Sequence, residues 1–456
     1  MKLKGIYLIM MLLTTAYATA QTNEVPHPSD AKQWTLQNCI EYALEQNIQL
    51  RQRKISLTES EVDVKTAKAA LFPSLSFASG HNVTNRPYQQ NSNTVNGTEI
   101  VSSDSKTTYS GTYGLSADMT LWNGKRNVNN IKQQKLNHQI ADLSVRQTEN
   151  SLQEQIAQLF IQILYADESV KINKNTVEVS QATYDRGQEL FREGCISKAD
   201  LAQLKAQVNN DRYQIVTSES TLRSYKLQLK QLLELDGSDE MNLVLPEIND
   251  EEVLKLLPAQ DDVYKQALAF RPEIQSSKLN IENSKLGLSV AKAGYLPTLS
   301  LNASAGSMTN SSSHYGWGKQ IKNGWNNIIG LSLSIPIFDN RQNRSNVEKA
   351  RLLYDSNQLD LINKQKELYQ TIEGLYLDAT NAQQQYKAAE SNMNSYQISY
   401  DMVSEQFALG MKNTVELLTE KNHLLNAQQQ RVQAKYMALL NRTLLTFYAD
   451  GKINIL

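Results

Sequence analysis

Two long stretches of this chain contain no proline, and each is long enough to form a helix far longer than a globular domain needs. Proline is absent between Tyr88 and Leu245 and again from Ile337 to the end. An interior proline would remove a backbone donor and clash with the preceding turn. As one helix, Asn123 to Arg192 would span roughly 105 Å at 1.5 Å per residue. Several ordinary helices in a bundle are the alternative.

Apolar residues in the first stretch recur at alternating steps of four and three, with a few small or polar residues at the same spacing. The positions are Leu152, Ile156, Leu159, Ile163, Ala166, Val170, Asn173, Val177, Ser180, Tyr184, Gly187 and Phe191, followed after Gly194 by Leu201, Leu204, Val208, Asp211 and Ile215. Heptads that continue for this long are typical of coiled-coil packing. We therefore predict long coiled-coil helices.

The chain also repeats itself once. A shift of 216 residues pairs Gly114-Leu115-Ser116 with Gly330-Leu331-Ser332, and Gly194 with Gly410. A shift of 224 pairs the preceding segments, for example Pro73 with Pro297. One period copied twice predicts two structural halves rather than a solenoid of many repeats.

The first twenty residues have the pattern of a cleaved export signal. Lys2 and Lys4 supply positive charge, Ile6–Leu13 supply the apolar stretch, and Ala18-Thr19-Ala20 has the form of a cleavage site. The apolar run is too short to span a bilayer as a helix, although a retained N-terminal anchor is the alternative. We predict a signal peptide over residues 1–20.

The repeat and the signal divide the chain into segments. We expect a first repeat over 21–235, with a strand pair at about 73–122 and a hairpin tip at about 191–200. An equatorial linker follows over 236–260. The second repeat covers 261–456, with a strand pair at about 297–338 and a hairpin tip at about 407–416.

Four segments between the helices alternate in the manner of strands. Tyr109–Leu121 and Ile329–Ile337 alternate apolar with small or polar residues, and Leu75–Phe77 and Leu299–Ala303 do the same after their prolines. This pattern is typical of an outer-membrane β-barrel strand, although a half-buried strand of a soluble sheet has it too. The export signal and the fourfold occurrence favour the barrel.

The segments Asn82–Thr108 and Met308–Asn326 connect these strands and are rich in Ser, Asn, Thr and Gly, so we predict exposed loops. Four strands per chain cannot close a barrel, because bacterial barrels begin at eight strands. An open edge cannot remain unpaired in lipid. Two chains would supply eight strands and three would supply twelve, so the count excludes only a monomeric barrel.

The composition excludes several function classes. Lys and Arg (46) nearly balance Asp and Glu (47), so the chain lacks the basic excess of a nucleic-acid-binding protein. The five histidines are scattered without metal-ligand spacing, and no phosphate-binding G-x-x-x-x-G-K-[ST] motif is present. We expect no catalytic residues, cofactor or metal. The 40 Asn and 40 Gln instead predict long hydrated surfaces.

Several features together make the chain resemble the outer-membrane efflux proteins of the TolC family over essentially its whole mature length. They are Trp34-Thr35-Leu36 at the start of the first helix, the twofold repeat, and the pattern Tyr184-Asp185, Phe191, Gly194, Ser197 and Asp200-Leu201 with its copy Tyr400-Asp401, Phe407, Gly410 and Glu416-Leu417-Leu418. The combination is specific to this family.

The resemblance implies a mainly α protein with a small β part, in which long coiled-coil helices form a periplasmic α-barrel. Four strands per chain would contribute to a shared twelve-stranded transmembrane β-barrel in a homotrimer. Such a channel lies in the cell outer membrane, extends into the periplasm, and serves as the passive exit duct of a tripartite efflux or type I secretion system.

Its implied partners are a periplasmic adaptor (membrane fusion) protein, an inner-membrane pump such as an RND, ABC or MFS transporter, and outer-membrane lipid. No nucleic acid is expected as a partner. An exported coiled-coil scaffold or adhesin without a pore is the alternative, which explains the heptads but neither the strand pairs nor the repeat.

Gly194 and Gly410 each interrupt a heptad, and glycine suits a turn with positive φ, so we predict helical hairpins over Phe191–Asp200 and Phe407–Glu416. We expect these tips to lie at the periplasmic end and to dock the adaptor. The adaptor-docking residues are predicted to be Phe191, Gly194, Ser197, Asp200, Phe407, Gly410 and Asn413, with plain turns that bind no partner as the alternative. The resemblance further places a periplasmic gate at Phe407, Lys412, Glu416 and Thr419. Lys412 and Glu416, four residues apart, are alternatively a simple surface pair.

The two cysteines, Cys39 and Cys195, are expected to be unpaired. In the proposed topology Cys195 lies at a tip and Cys39 near the start of the first helix, roughly 50 Å away along a helix rising 1.5 Å per residue. A disulfide requires Cα atoms within about 7 Å.

Overall fold

The computed structural model describes residues 33–88, 92–96, 99–103, 106–236, 241–246 and 248–453. The predicted signal peptide over residues 1–20 lies outside the described residues. Nowhere in the described part of the chain does a helix combine the length and apolarity needed to span a bilayer.

The two halves of the chain contain their helices and strands in nearly the same order. The first half contains α1 (Leu36–Gln46), α2 (Ile48–Ala69), β1 (Ser74–Asn85), β2 (Ser92–Asn96), β3 (Glu99–Ser103), β4 (Thr107–Trp122), α3 (Arg126–Arg192) and α4 (Lys198–Leu232). The second contains α5 (Asp250–Val253), α6 (Gln260–Phe270), α7 (Pro272–Lys292), a 3₁₀ turn (Ala293–Tyr295), β5 (Thr298–Asn310), α8 (Trp317–Asn323), β6 (Asn326–Ser334), α9 (Gln342–Ala408) and α10 (Thr414–Asp450).

The long helices α3 and α9 confirm the interpretation of the proline-free stretches. Each has 67 residues and therefore spans about 100 Å. Each follows a residue in the left-handed region, Lys125 with φ 66° and Arg341 with φ 69°. The 216-residue shift seen in the sequence relates the two helices end to end, so the repeat is structural.

The shorter helices break at equivalent positions in the two halves. Asn47 separates α1 from α2 with φ −58° and ψ 127°, and Arg271 separates α6 from α7 with φ −60° and ψ 127°. Asn47 starts α2 by accepting a hydrogen bond from Leu50 N at 3.1 Å, whereas Pro272 occupies the first turn of α7. These two positions are 224 residues apart, as the second shift predicts.

β1, β4, β5 and β6 form one antiparallel sheet in the order β1-β4-β5-β6. β1 pairs along its whole length with β4, and β6 pairs only with β5. Both β1 and β6 are therefore edges within the described part of the chain. β6 ends at Ser334, three residues before the alternating sequence ends at Ile337, because Pro336 has no N–H to continue the ladder.

The prediction that Asn82–Thr108 and Met308–Asn326 are loops is partly wrong. β1 continues to Asn85, and β2 and β3 pair with each other as a separate hairpin. In the second segment β5 continues to Asn310, and the short helix α8 precedes β6. Ser, Asn and Thr are as compatible with hydrated strand edges as with loops, and composition therefore did not distinguish them.

The main hydrophobic core lies where α1, α3, α4 and the C-terminal part of α10 meet. Ile156 and Ile163, both at predicted heptad positions of α3, are fully buried there beside Leu229 and Phe447. Thr35 caps α1 by accepting a hydrogen bond from Asn38 N at 3.2 Å, which places the start of α1 where the sequence predicts it.

Candidate functional site

The turn between α3 and α4 reverses the chain in five residues and satisfies backbone groups at both helix ends. Gly194 has φ +78°, which glycine adopts without steric cost. Its N–H donates to Phe191 O at 3.1 Å, and Cys195 N–H donates to Leu190 O at 2.8 Å. These two bonds are those of a Schellman motif, which closes a helix C-terminus.

Ser197 and Asp200 begin α4 with a reciprocal pair of hydrogen bonds. Asp200 N–H donates to Ser197 Oγ at 3.1 Å, and Ser197 N–H donates to Asp200 Oδ2 at 3.0 Å. The bonds from the Ser197 hydroxyl and N–H lower the pKa of the Asp200 carboxyl below its ordinary value. This capping box ties the turn to the new helix.

The turn between α9 and α10 has the same construction. Gly410 has φ +73°, its N–H donates to Phe407 O at 3.0 Å, and Met411 N–H donates to Gln406 O at 2.9 Å. The two predicted hairpin tips therefore exist and are built alike. A Cβ added at Gly194 or Gly410 would meet open space, so the positive φ alone is what requires glycine at these positions.

Glu416 has two partners at the start of α10. Its Oε1 accepts from Lys412 Nζ at 2.6 Å, and its Oε2 accepts from Asn413 N–H at 3.1 Å. Asn413 Oδ1 in turn accepts from Glu416 N–H at 2.9 Å, completing a second capping box. Lys412, followed by the Asn413 N–H, lowers the pKa of the Glu416 carboxyl. Within one chain, Lys412 and Glu416 thus form a partly exposed pair.

Thr419 lies one turn beyond Glu416 on α10. Its side chain is exposed, and its Oγ1 donates to Val415 O at 2.8 Å within the same helix. The hydroxyl is therefore satisfied within the chain and carries no charge. The side chains of Lys412, Glu416 and Thr419 are therefore all at least partly accessible at the start of α10.

Phe407 lies at the second tip as predicted, but its side chain is covered. Its side chain is 4% exposed and packs with Leu204 of α4 and Leu417 of α10 in a small core between the hairpins. A side chain buried there cannot line a constriction or contact a partner, so both predictions for Phe407 are corrected. Its counterpart Phe191 is 40% exposed. Both phenylalanines occupy equivalent heptad positions, so the burial of Phe407 follows from its packing against Leu204 and Leu417 and not from the repeat.

Further polar contacts join the two hairpins within one chain. Arg186 Nη2 on α3 donates to Ala408 O at the end of α9, at 3.2 Å. Deeper in the bundle, Lys421 Nζ of α10 contacts the Asp211 carboxylate of α4 and the Ser180 hydroxyl of α3. Burial lowers the pKa of Lys421, against the opposing effect of Asp211. These contacts hold the second hairpin against the first.

The buried contact among Lys421, Asp211 and Ser180 was missed by sequence reasoning. A signal was nevertheless present, because Ser180 and Asp211 both occupy positions of the heptad that are otherwise apolar. A polar residue at a core position requires a buried partner. Lys421 had no such signal and could only be found from the packing.

The sheet has one apolar and one polar face, as cross-strand partners share a side. One face carries Leu75, Phe77, Leu115, Ala117, Met119, Leu301, Ala303, Ile329, Leu331 and Leu333, whereas the other carries Ser74, Ser76, Gly114, Ser116, Asp118, Ser300, Asn302, Ser304, Gly330 and Ser332. On the polar face, Ser76 Oγ and Ser116 Oγ lie 2.8 Å apart, and Asn302 Nδ2 donates to Asp118 Oδ1 at 2.6 Å. Such a sheet separates lipid from water.

No three His, Cys, Asp or Glu side chains of the described residues are grouped as metal ligands would be. Cys39 and Cys195 are both free, which confirms the prediction that they are unpaired. Cys39 is buried in the main core, and burial raises its thiol pKa to about 12. Cys195 is exposed in the turn between α3 and α4.

Comparison with known proteins agrees with this architecture. The family model of the outer membrane efflux proteins matches residues 39–234 and 263–449, one match for each half. The chain is 23% identical to outer membrane protein TolC of Escherichia coli K12 over 72% of each protein. It is 22% identical to the alkaline protease secretion protein AprF of Pseudomonas aeruginosa, over 65% of this chain and 62% of AprF.

The crystal structure of CusC has the same fold, with a TM-score of 0.76 and 18% identity over 91% of both chains. The family match covers most of the chain, and the fold combines an open-edged sheet with helices of about 100 Å. The chain therefore belongs to the outer membrane efflux protein family and is an outer-membrane channel-tunnel that extends into the periplasm.

Proposed function

We propose that three copies of this chain form the passive exit duct of a tripartite efflux or type I secretion system. The observation that carries the proposal is the pair of open edges. β1 and β6 bound a four-stranded sheet whose apolar face is largely exposed, with Phe77 at 66% and Ile329 at 81%. Pairing β6 of one copy with β1 of the next satisfies both edges, and three copies give twelve strands.

The long helices support the same assembly. α9 keeps Leu352, Leu353 and Leu359 exposed at 67%, 57% and 67% in the single chain. Apolar side chains at helical spacing need a partner surface. A neighbouring copy beside α9 would cover them and extend the barrel into a helical tunnel. The amide-rich remainder of the helices conducts water and polar solutes without binding them tightly.

The turns at 193–197 and 409–413 are the proposed docking sites for a periplasmic adaptor. The first presents Phe191, Gly194, Ser197 and Asp200, and the second presents Gly410 and Asn413, all at the ends of the long helices farthest from the sheet. Exposed apolar groups accompany them, since Leu409 is 70% and Met411 is 64% exposed. The adaptor in turn would connect the duct to an inner-membrane pump of the RND, ABC or MFS class.

The periplasmic gate is proposed at Lys412, Glu416 and Thr419. Their side chains are accessible on the second hairpin, whereas the first hairpin has Ile196 at the position equivalent to Lys412 and so lacks the charged pair. In a trimer the three copies of the Lys412–Glu416 pair would form a ring of charges around the axis. The contacts are exposed, so each is weak and sensitive to salt.

Planar-bilayer conductance of the purified full-length protein, measured with its oligomer mass, tests the duct. We expect a trimer mass and discrete conductance steps. A monomer, or a trimer that never conducts, would overturn the proposal and favour a scaffold without a pore.

Crosslinking at the tips tests adaptor docking. Ser197 and Asn413 cap helices, so the native Cys195 and a Met411→Cys variant are better attachment sites for a maleimide crosslinker. We expect both to capture an adaptor protein in whole cells. The control is Tyr213→Cys, which lies on α4 away from the turn and is 67% exposed in the wild type. Both Met411→Cys and Tyr213→Cys are made in a chain that also carries Cys195→Ser, because the native thiol is exposed and would otherwise react in every variant. Equal capture from all three positions, or capture from none, would contradict docking at the tips.

A further inference from the structure

The short helix α8 is fixed against one face of the sheet. Trp317 Nε1 donates to Tyr113 Oη at 3.2 Å, and Ser307 Oγ donates to Ile321 O at 2.9 Å. Gln320 is 7% exposed, and its Oε1 accepts from Asn310 N–H at 2.8 Å. α8 is therefore a packed part of the fold with a defined orientation.

The strand register places α8 on the apolar face. Tyr113 pairs with Ser307, and two residues further along β4 Leu115 pairs with Phe77. Because the apolar face contacts lipid in a transmembrane barrel, α8 lies outside the barrel wall. The long helices leave from the opposite ends of β4 and β6, so α8 is at the cell-exterior end.

α8 lies near the outer border of the apolar face. From Leu299 to Ser307 along β5 is roughly 26 Å at 3.3 Å per residue, or about 20 Å of height at a strand tilt near 40°. An outer-membrane barrel has an apolar band about 25 Å tall, bordered by aromatic residues. Tyr113, Trp317 and Trp325 form such a border at this end.

Two lysines project from α8 away from the sheet. Lys319 and Lys322 are three residues apart and both exposed, opposite the side occupied by Trp317 and Gln320. Lys319 Nζ lies 3.9 Å from the centroid of the Tyr315 ring. Trp317 and Trp325 are 61% and 53% exposed beside them.

The charge around these lysines is positive. No Asp or Glu occurs from residue 298 to residue 338, while Lys319 and Lys322 lie in the middle of that segment. Within residues 298–338 the net charge therefore comes from these two lysines of α8.

We propose that Tyr315, Trp317, Lys319, Lys322 and Trp325, here called the α8 patch, bind the phosphorylated headgroup of an outer-leaflet glycolipid. Exposed indole and phenol rings favour the membrane interface. Lysine binds phosphate as a point charge, and basic residues near a headgroup surface strengthen lipid binding through its negative charge. The lipid thereby fixes the barrel at a defined depth.

Lipid retention by the purified, full-length channel tests this proposal. Detergent-solubilised protein is titrated with diphosphorylated lipid A and with the same lipid after removal of its phosphates, and bound lipid is counted by native mass spectrometry. We expect the phosphorylated lipid to bind at least about tenfold more tightly to the wild type than to the Lys319→Gln/Lys322→Gln variant. The preference should weaken at high salt.

The matched control is Lys132→Gln/Lys135→Gln, which removes two exposed lysines with the same spacing from the periplasmic side of the sheet. It should bind lipid A as the wild type does. Equal affinity for both lipids, or equal loss in both variants, would overturn the α8 patch. Competition by inorganic phosphate at millimolar concentration would show that phosphate alone, rather than the membrane glycolipid, is recognised, and would also overturn it.

Discussion

Lys421 on α10 and Asp211 on α4 form a buried ion pair that connects the second helical hairpin to the first. Their side chains are 7% and 3% exposed, and the Ser180 hydroxyl of α3 contacts both charged groups. Burial of an ion pair is costly, and the attraction offsets that cost only while both partners are present. The pair therefore makes the position of α10 dependent on α3 and α4.

Lys421→Met should destabilise the hairpin pair by about 3–5 kcal/mol, because it leaves the Asp211 carboxylate buried without its partner. Thermal unfolding of the helical part, followed by circular dichroism in detergent, measures the loss. The double variant Lys421→Met/Asp211→Leu should recover most of it, because no unpaired charge remains.

Lys412→Met is the matched control for Lys421→Met. Its ion pair with Glu416 is about two-fifths exposed, so its removal should cost well under about 1 kcal/mol. If Lys421→Met were as mild as Lys412→Met, the buried pair would have no structural importance.

The two capping boxes should make the tips sensitive to acid. Hydrogen bonds hold the pKa of Glu416 and of Asp200 below their ordinary values of 4.5 and 3.8. A carboxyl whose folded pKa is lowered stabilises the fold above its unfolded pKa, and this contribution is lost as the pH falls through the folded value. Both tips should therefore loosen below about pH 4.

Hydrogen exchange of the backbone amides of Asp200 and Glu416, corrected for the intrinsic rate, measures this effect. Protection should be constant from pH 7 to pH 5 and should fall at lower pH. Amides in the middle of α3, such as that of Ile163, are the internal control. Unchanged protection at the tips down to pH 3 would contradict a contribution from the carboxylates.

The two cysteines should differ in reactivity by orders of magnitude. Cys195 is exposed in the first turn, whereas Cys39 is fully buried and its pKa is raised to about 12. Because the thiolate is the nucleophile, Cys39 is almost entirely protonated at pH 8 as well as inaccessible. Maleimide should add one label per native chain and two per denatured chain, counted by intact mass. Two labels on the native chain would contradict the packing of α1.

Gly306 in β5 should tolerate no side chain. A Cβ there would lie 2.8 Å from Tyr113 O, a backbone atom of β4 that cannot move without disturbing the sheet. Gly330 in β6 has no atom within 4 Å of the same position and is the control. Gly306→Ala should reduce the yield of folded trimer in outer membranes, measured by heat-modified gel mobility, whereas Gly330→Ala should not. Equal yields would argue against the β4–β5 register.

Sequence reasoning predicted the long helices well because their determinants are local and repeated many times. A helix of 67 residues with no internal proline offers dozens of equivalent positions, so single exceptions such as Asn173 do not obscure the period. The turns were equally readable, because Gly194 and Gly410 are needed for a positive φ that few other residues adopt.

Burial of individual side chains was not predictable in the same way. Phe191 and Phe407 are equivalent in the repeat, yet only Phe407 is covered, because Leu204 and Leu417 pack against it. This difference depends on how the two hairpins lie together, which no local pattern encodes. The α8 helix was hidden for another reason: seven residues are too few to show a period.

Separating a gate from a surface pair requires variants that spare the cap of α10. The Glu416 carboxylate accepts hydrogen bonds from both Lys412 Nζ and Asn413 N–H, so Glu416→Ala would remove the capping box as well as the charge. Glutamine at this position retains an acceptor for Asn413 N–H. Lys412→Gln/Glu416→Gln therefore removes both charges and leaves the helix start intact.

If rings of Lys412 and Glu416 join neighbouring copies at the axis, this double variant should raise the single-channel conductance while the trimer mass stays the same. Several weak contacts must break together for the channel to open, so removing all of them shifts the balance toward the open state.

High salt should raise the conductance of the wild type beyond the change in solution conductivity, and should do so less in the variant. The matched control is Lys364→Gln/Glu367→Gln, an exposed pair of 2.6 Å on α9 far from the turn. If the double variant at Lys412 and Glu416 conducts no more than this control, the gate is contradicted and the two residues form only a surface pair within one helix.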